Sequence, residues 1–164
     1  KGADVFLEGL AGIRDRPWCA SVIGEGSDRQ VLERQAQSLG IADRLRWHGI
    51  VPHAAALYSA FDAWVLSSRT EGTPIALFEA MGARVPVIAS EVGGVPDVVS
   101  PSEALLVQPE RPDALSAALR AIIDDPSRAA DRATAAYHRL HREFAHERWL
   151  DAHLELYRSA MIDR

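Results

Sequence analysis

The sequence has 164 residues, enough for one domain with a sizeable core. It is 48% hydrophobic and 25% charged, which excludes a disordered chain. Its net charge of −5 comes with no dense Lys/Arg cluster, so nucleic acid is a poor partner, and no apolar run approaches the roughly 18 residues of a membrane span.

Lys1-Gly2 runs almost at once into a helix with no initiator Met, which reads as a fragment of a longer protein. Residues 4–10 place Val5, Phe6, Leu7 and Leu10 on a helical face that Ala11 and Ile13 extend, and Pro17 ends it. A short apolar strand over 19–23 closes on Gly24-Glu25-Gly26. Cys19 is the only cysteine, which excludes an internal disulfide and fits a reducing compartment. Ser27 or Asp28 can cap a helix over 29–39, and Gly40 stops it. Residues 45–51 alternate around Trp47 as a strand that Pro52-His53 breaks. An alanine-rich helix over 54–60 leads to a continuous apolar strand over 63–67, the pattern of a sheet covered on both faces.

The polar turn 69–73 then opens a helix at Pro74 that is apolar almost all round except for Glu79. A strand over 86–89 leads to Gly93-Gly94 and another helix start. A strand over 104–107 and a helix over 113–123, with Leu115, Leu119 and Ile122 on one face, end at Asp124-Asp125-Pro126. The remainder is helical by pattern, over about 127–161, with a break near Phe144. Trp149, His153, Leu156 and Tyr157 follow at three-to-four spacing, which predicts ordinary core packing for that face.

Strands alternating with helices predict βαβ units, a parallel sheet and a single α/β domain of the doubly wound, Rossmann-like kind. In such sheets ligands bind beyond the C-terminal ends of the strands, where each glycine turn here lies. Thr73 is a good N-cap and Pro74 suits the first helical position. The N–H groups of Ile75 and Ala76 would then lack helical partners. That pattern is either a plain cap or, with the helix dipole, an anion site suited to phosphate.

Glu79 has no clear polar face among Ile75, Leu77, Phe78, Ala80 and Met81, so it predicts a satisfied carboxylate. It lies about 7.5 Å along the axis from the helix tip, with Glu71 just outside the tip. The two carboxylates bracket the tip at roughly the span of a diphosphate between a sugar and a ribose. The plain alternatives are a solvated Glu71 and a Glu79 paired with Arg69 or Arg84.

The setting SRTEGTPIALFEAMGARVPVIASEVGGVPDVV, with seven residues between Glu71 and Glu79, resembles the C-terminal domain of the large retaining glycosyltransferase family with two facing Rossmann-like domains, the GT-B fold. Lys1-Gly2 before DVFLEGL, VIGEGSDRQVLERQA, RLRWHGIV and PHAAALYSAFDAWVLSS extend the resemblance over the whole chain. The resemblance implies a nucleotide-diphosphate sugar as donor, retention of anomeric configuration, and no metal or other cofactor in this domain. Lys1 would neutralise the donor diphosphate, with a partner arginine upstream. Glu71 would hold hydroxyls of the transferred sugar. Gly72, Thr73, Pro74 and Ile75 would present backbone to the sugar and diphosphate, and Glu79 would accept the ribose hydroxyls. Gly24 and Gly26 would let their loop pass close to the nucleotide, and Ile50 would meet the base. Gly93-Gly94 are either ligand contacts or simple turn glycines.

The acceptor site would belong to an N-terminal domain beyond this chain, leaving the fragment inactive by itself. A cytoplasmic enzyme, at most peripheral at the inner face of the membrane through that domain, is the implied setting. Arg84 departs from the family pattern by standing where glycine follows the signature helix, and Asp97 by standing where Glu is commoner. His138 and His141 share a helix face but have no nearby third ligand, so they read as solvated. The rivals are a nucleotide-sugar epimerase or phosphorylase on the same scaffold, and a non-catalytic nucleotide-binding module. A dinucleotide site is disfavoured because GEGSDR lacks the third glycine of that fingerprint.

Overall fold

The computed structural model describes residues 1–145, 150, 153–155, 157–159 and 161. Helix α1 (Ala3–Ala11) leads to β1 (Ala20–Ile23), α2 (Arg29–Ser38) and β2 (Leu45–Gly49). Then come β3 (Trp64–Leu66), α3 (Ile75–Gly82), β4 (Val87–Ser90), α4 (Val95–Val98) and β5 (Leu105–Val107). Helices α5 (Pro112–Asp124) and α6 (Pro126–Glu143) follow. The expected alternation holds. Residues Ala54–Ala60 wind as a 3₁₀ segment rather than an α-helix.

Every ladder is parallel, but the strands form two separate sheets, β1-β2 and β3-β4-β5. Helices cover both faces. Leu7, Leu10, Ile13, Leu115, Leu119 and Ile122 pack on one side. Leu77, Met81, Val95, Val98 and Ala136 pack on the other. β4 lies between these layers, with Ile88 turned to the first and Val87 and Ala89 to the second, as the two-residue period of a strand requires. All four of its residues are buried. Each fully buried Leu, Ile or Met contributes about 1.5–3 kcal/mol.

Helix α6 buries Ala129, Ala133 and Ala136, small residues that let it lie close against its neighbours. Asp125 caps it by accepting from the Arg128 backbone N–H at 3.0 Å, and Asp124 pairs with Arg16 at 2.8 Å. The acidic pair therefore marks a helix junction. The break near Phe144 is also found, and its ring packs on Phe78 at 5.0 Å between centroids. His138 and His141 flank the Tyr137 ring. The expected core packing around Tyr157 is not found: this side chain is 65% exposed, while Trp149 and Leu156 lie outside the described residues.

Candidate functional site

The candidate residues collect at the C-terminal ends of β1, β2 and β3. Gly2 has φ 71° and its α-carbon lies against the Ser67 carbonyl, where any Cβ would overlap the oxygen. That close approach sets Lys1 at the C-terminal end of β3. Lys1 Nζ donates to Glu71 Oε1 at 2.7 Å, and Ser68 Oγ donates to the same oxygen at 2.6 Å. The Glu71 side chain is only 9% exposed. Burial by itself would raise its pKa, but the hydrogen bonds from Lys1 and Ser68, with the Lys1 charge, outweigh it and hold the carboxyl below its ordinary value. Glu71 therefore stays an anion next to the tip of α3.

That tip is built one residue later than expected. Pro74, with φ −75° and ψ 108°, is the N-cap itself, and Thr73 makes no capping hydrogen bond. Proline has no side-chain acceptor, so the N–H groups of the first turn are left without a side-chain cap. The Pro74 carbonyl accepts from Leu77 N–H at 3.0 Å. Among the described residues the N–H groups of Ile75 and Ala76 have no hydrogen-bond partner. The expected free donors are therefore present.

Glu79 is exposed, not enclosed, and pairs with neither arginine. Arg69 instead bridges Asp4, at 2.9 and 2.6 Å, and Glu110, at 2.9 Å. Arg84 lies over the Tyr137 ring at 3.8 Å. The burial expected from the apolar run failed because helix α3 buries one face, through Leu77, Ala80 and Met81, and leaves Glu79 on the other. Arg84 itself takes the left-handed conformation, φ 54°, so the departure from glycine keeps the turn and gains an aromatic partner.

Lys1, Glu71, Thr73, Pro74 and Ile75 face one cavity of about 1420 Å³. Gly24, Gly26, Gly72, Ile50 and Glu79 lie outside its lining. Gly24 donates to the Gly49 carbonyl at 2.7 Å, which ties the first glycine loop to the end of β2 beside Ile50. A Cβ at Gly24, Gly26 or Gly72 would meet nothing within 4 Å, so these loops border open space. Ile50, after β2, and Ile75, at the start of α3, are 73% and 74% exposed, apolar side chains left in solvent.

Gly93 and Gly94 support the Glu71 turn. Gly93, φ 51°, lies against the Glu71 carbonyl so closely that a Cβ would overlap it. Gly94 N–H donates to the Gly72 carbonyl at 2.9 Å. The second glycine turn is thus a backbone support for the Glu71 turn. Sequence reasoning missed this support, along with Ser68 and the Arg69 bridge. Only the Ser67-Ser68 pair at a strand end pointed to Ser68.

The model of the glycosyl transferases group 1 family matches residues 1–139. This chain belongs to that family. The group 1 domain is 33% identical over 144 residues to the lipopolysaccharide core biosynthesis glycosyltransferase LpsD of Rhizobium meliloti, covering 87% of this chain and 42% of LpsD. It superimposes on sucrose-phosphate synthase of Thermosynechococcus elongatus with a TM-score of 0.91 and 29% identity, over 100% of this chain and 43% of that one. HepE of Anabaena, solved in complex with UDP, shares the fold at a TM-score of 0.90 and 23% identity, over 97% of this chain and 45% of HepE. The chain spans about half the length of these relatives. Its architecture is the Rossmann-like C-terminal half of a GT-B fold, as the resemblance implied.

Proposed function

We propose that this group 1 domain is the donor-binding half of a retaining hexosyltransferase that uses a nucleotide-diphosphate sugar. The observation that carries the reading is the carboxylate–cation pair at a helix tip. Glu71 is kept ionised by Lys1 and Ser68, immediately before two unpaired N–H groups of α3. As the sugar–oxygen bond breaks, negative charge grows on the leaving diphosphate. Lys1 and the α3 tip stabilise that charge electrostatically, with no proton transferred. Glu71 accepts hydroxyls of the transferred sugar, and the exposed Glu79 accepts the ribose hydroxyls. Gly24 and Gly26 admit the nucleotide, and Ile50 meets the base. LpsD is named as a glycosyltransferase and HepE was solved with UDP, which supports the donor class. The acceptor site and turnover belong to polypeptide outside this chain.

Calorimetric titration of the chain with uridine, guanosine and adenosine diphosphate sugars tests the reading. One of them binds, and Glu79→Ala weakens it. Silence from all three at millimolar concentration would overturn the reading, and unchanged binding by Glu79→Ala would favour a module that uses other contacts.

A further inference from the structure

Two segments far apart in sequence meet twice beside the tip of α3. Lys1 pairs with Glu71 at 2.7 Å, and Asp4 pairs with Arg69 at 2.9 and 2.6 Å. The segments run in opposite directions, so Lys1 then Asp4 meet Glu71 then Arg69. The charges are crossed as well. In one pair the cation lies on the first segment, and in the other it lies on the second. The alternative alignment would set Lys1 against Arg69 and Asp4 against Glu71, two like-charge contacts. One alignment is attractive at both ends and the other repulsive at both, so the charges select which residue Lys1 meets.

The Asp4–Arg69 pair is built for orientation more than for strength. The two side chains are 43% and 42% exposed, and a surface ion pair contributes little to stability. Arg69 nevertheless offers both Nη groups to the two oxygens of Asp4, a parallel fork that fixes angle as well as distance. Its Nε donates to Glu110 at 2.9 Å, so every guanidinium nitrogen is engaged. Glu110 makes this contact from a left-handed backbone, φ 56°, which a residue with a Cβ adopts at a cost. Asp4 stands in the first turn of α1, so a rigid element carries its carboxylate. The Arg69 hydrogen bonds are the main reason that this carboxyl lies below its ordinary value.

We infer that Asp4 and Arg69 are positioning residues: their pair sets the Glu71 turn in register with the start of α1, so that Lys1 and Ser68 both donate to Glu71 Oε1 and Oε2 is left for a ligand. Among the described residues no group donates to Oε2. On the donor reading, Oε2 takes a hydroxyl of the transferred sugar. Lys1, tied to Oε1, then stays beside the α3 tip, where the diphosphate lies. The register depends only on contacts within the chain, whereas the use of Oε2 rests on the donor reading.

Glu71 reports the register with no donor present. Its side-chain carboxyl is followed by carbon NMR through an acid titration of the 164-residue chain and its variants. Two effects act in opposite directions at Asp4. Removing a neighbouring negative charge makes Glu71 easier to ionise and lowers its midpoint. Losing the register frees Lys1 from Glu71 and raises it. Asp4→Ala therefore raises the midpoint toward the ordinary 4.5, as Lys1→Ala does. Combined with Lys1→Ala, it raises the midpoint no further than Lys1→Ala alone. Arg69→Lys keeps the charge but loses the fork, and it also raises the midpoint, which keeps the test open if Asp4→Ala does not fold. Asp15→Ala, past the other end of α1, breaks an ion pair with Arg120 and leaves Glu71 as in wild type. A midpoint that falls or stays the same in either folded variant would overturn the positioning role. In calorimetry, Asp4→Ala and Arg69→Lys weaken binding of the nucleotide sugar by about tenfold. Raised midpoints with full affinity would overturn the role of the pair in the donor site. Raised midpoints with no sugar bound by wild type would uphold the register and remove the donor reading.

Discussion

Glu71 accepts two hydrogen bonds on one oxygen, and each donor has a separable consequence. Ser68 is buried, so Ser68→Ala strips a nearly enclosed carboxylate of a donor and costs about 1–3 kcal/mol in urea unfolding. Lys1 acts through charge. The folded pKa of Glu71 lies below its ordinary 4.5, so its contribution is fully present above that value and is lost as pH falls through the depressed folded one. The unfolding midpoints of wild type and Lys1→Ala therefore differ at neutral pH and converge in acid well below 4.5. A gap that persists in acid would mean that Lys1 acts by packing. Glu79 is the opposite case. It is exposed and, among the described residues, without a side-chain partner, so Glu79→Ala leaves Tm unchanged, and on the donor reading it weakens binding by about tenfold. The residue types of this site were legible, because carboxylates beside a proline-opened helix are a local pattern. The pairing of Lys1 with Glu71 was not, because 70 residues separate them and only the fold brings them together.

Elements are held here by turns. Gly93 lies against the Glu71 carbonyl, so Gly93→Ala combines a left-handed backbone with a backbone overlap and destabilises by about 2–3 kcal/mol. Gly26→Ala, bordering open space, leaves Tm within about 1 °C. Equal melting of the two variants would remove the support assigned to the second glycine turn. At the other end of α3, Arg84 sets a strained backbone against a stacked ring. Arg84→Gly relieves the strain and loses the stack, a net change within about 0.5 kcal/mol, whereas Arg84→Ala loses the stack alone and costs about 1 kcal/mol. Thermal unfolding of the pair separates the two terms. Helix and strand positions were readable from apolar period and proline punctuation. The cap was misplaced by one residue because Thr73 and Pro74 are both good starts, and the choice between them depends on the path of the preceding turn.

At the scale of the molecule, alternating strands and helices sufficed to predict a parallel α/β architecture. The division into two sheets was invisible, because a sequence marks where strands form and not which edges meet. Ladders between strands distant in sequence are set by the whole fold. The chain spans about half its relatives, and on the donor reading it holds one substrate without the other, so a coupled assay detects no sugar transfer from the chain alone. Turnover by the purified 164 residues would sink that reading. The Glu71 turn also has two unlike anchors. Arg69, 42% exposed, ties one flank to Asp4 on α1 and to Glu110 before α5, through surface ion pairs that added salt weakens. The Gly93-Gly94 backbone holds the other flank by contact and by an amide hydrogen bond that salt leaves intact. Raised ionic strength therefore weakens the support of this turn from one side only.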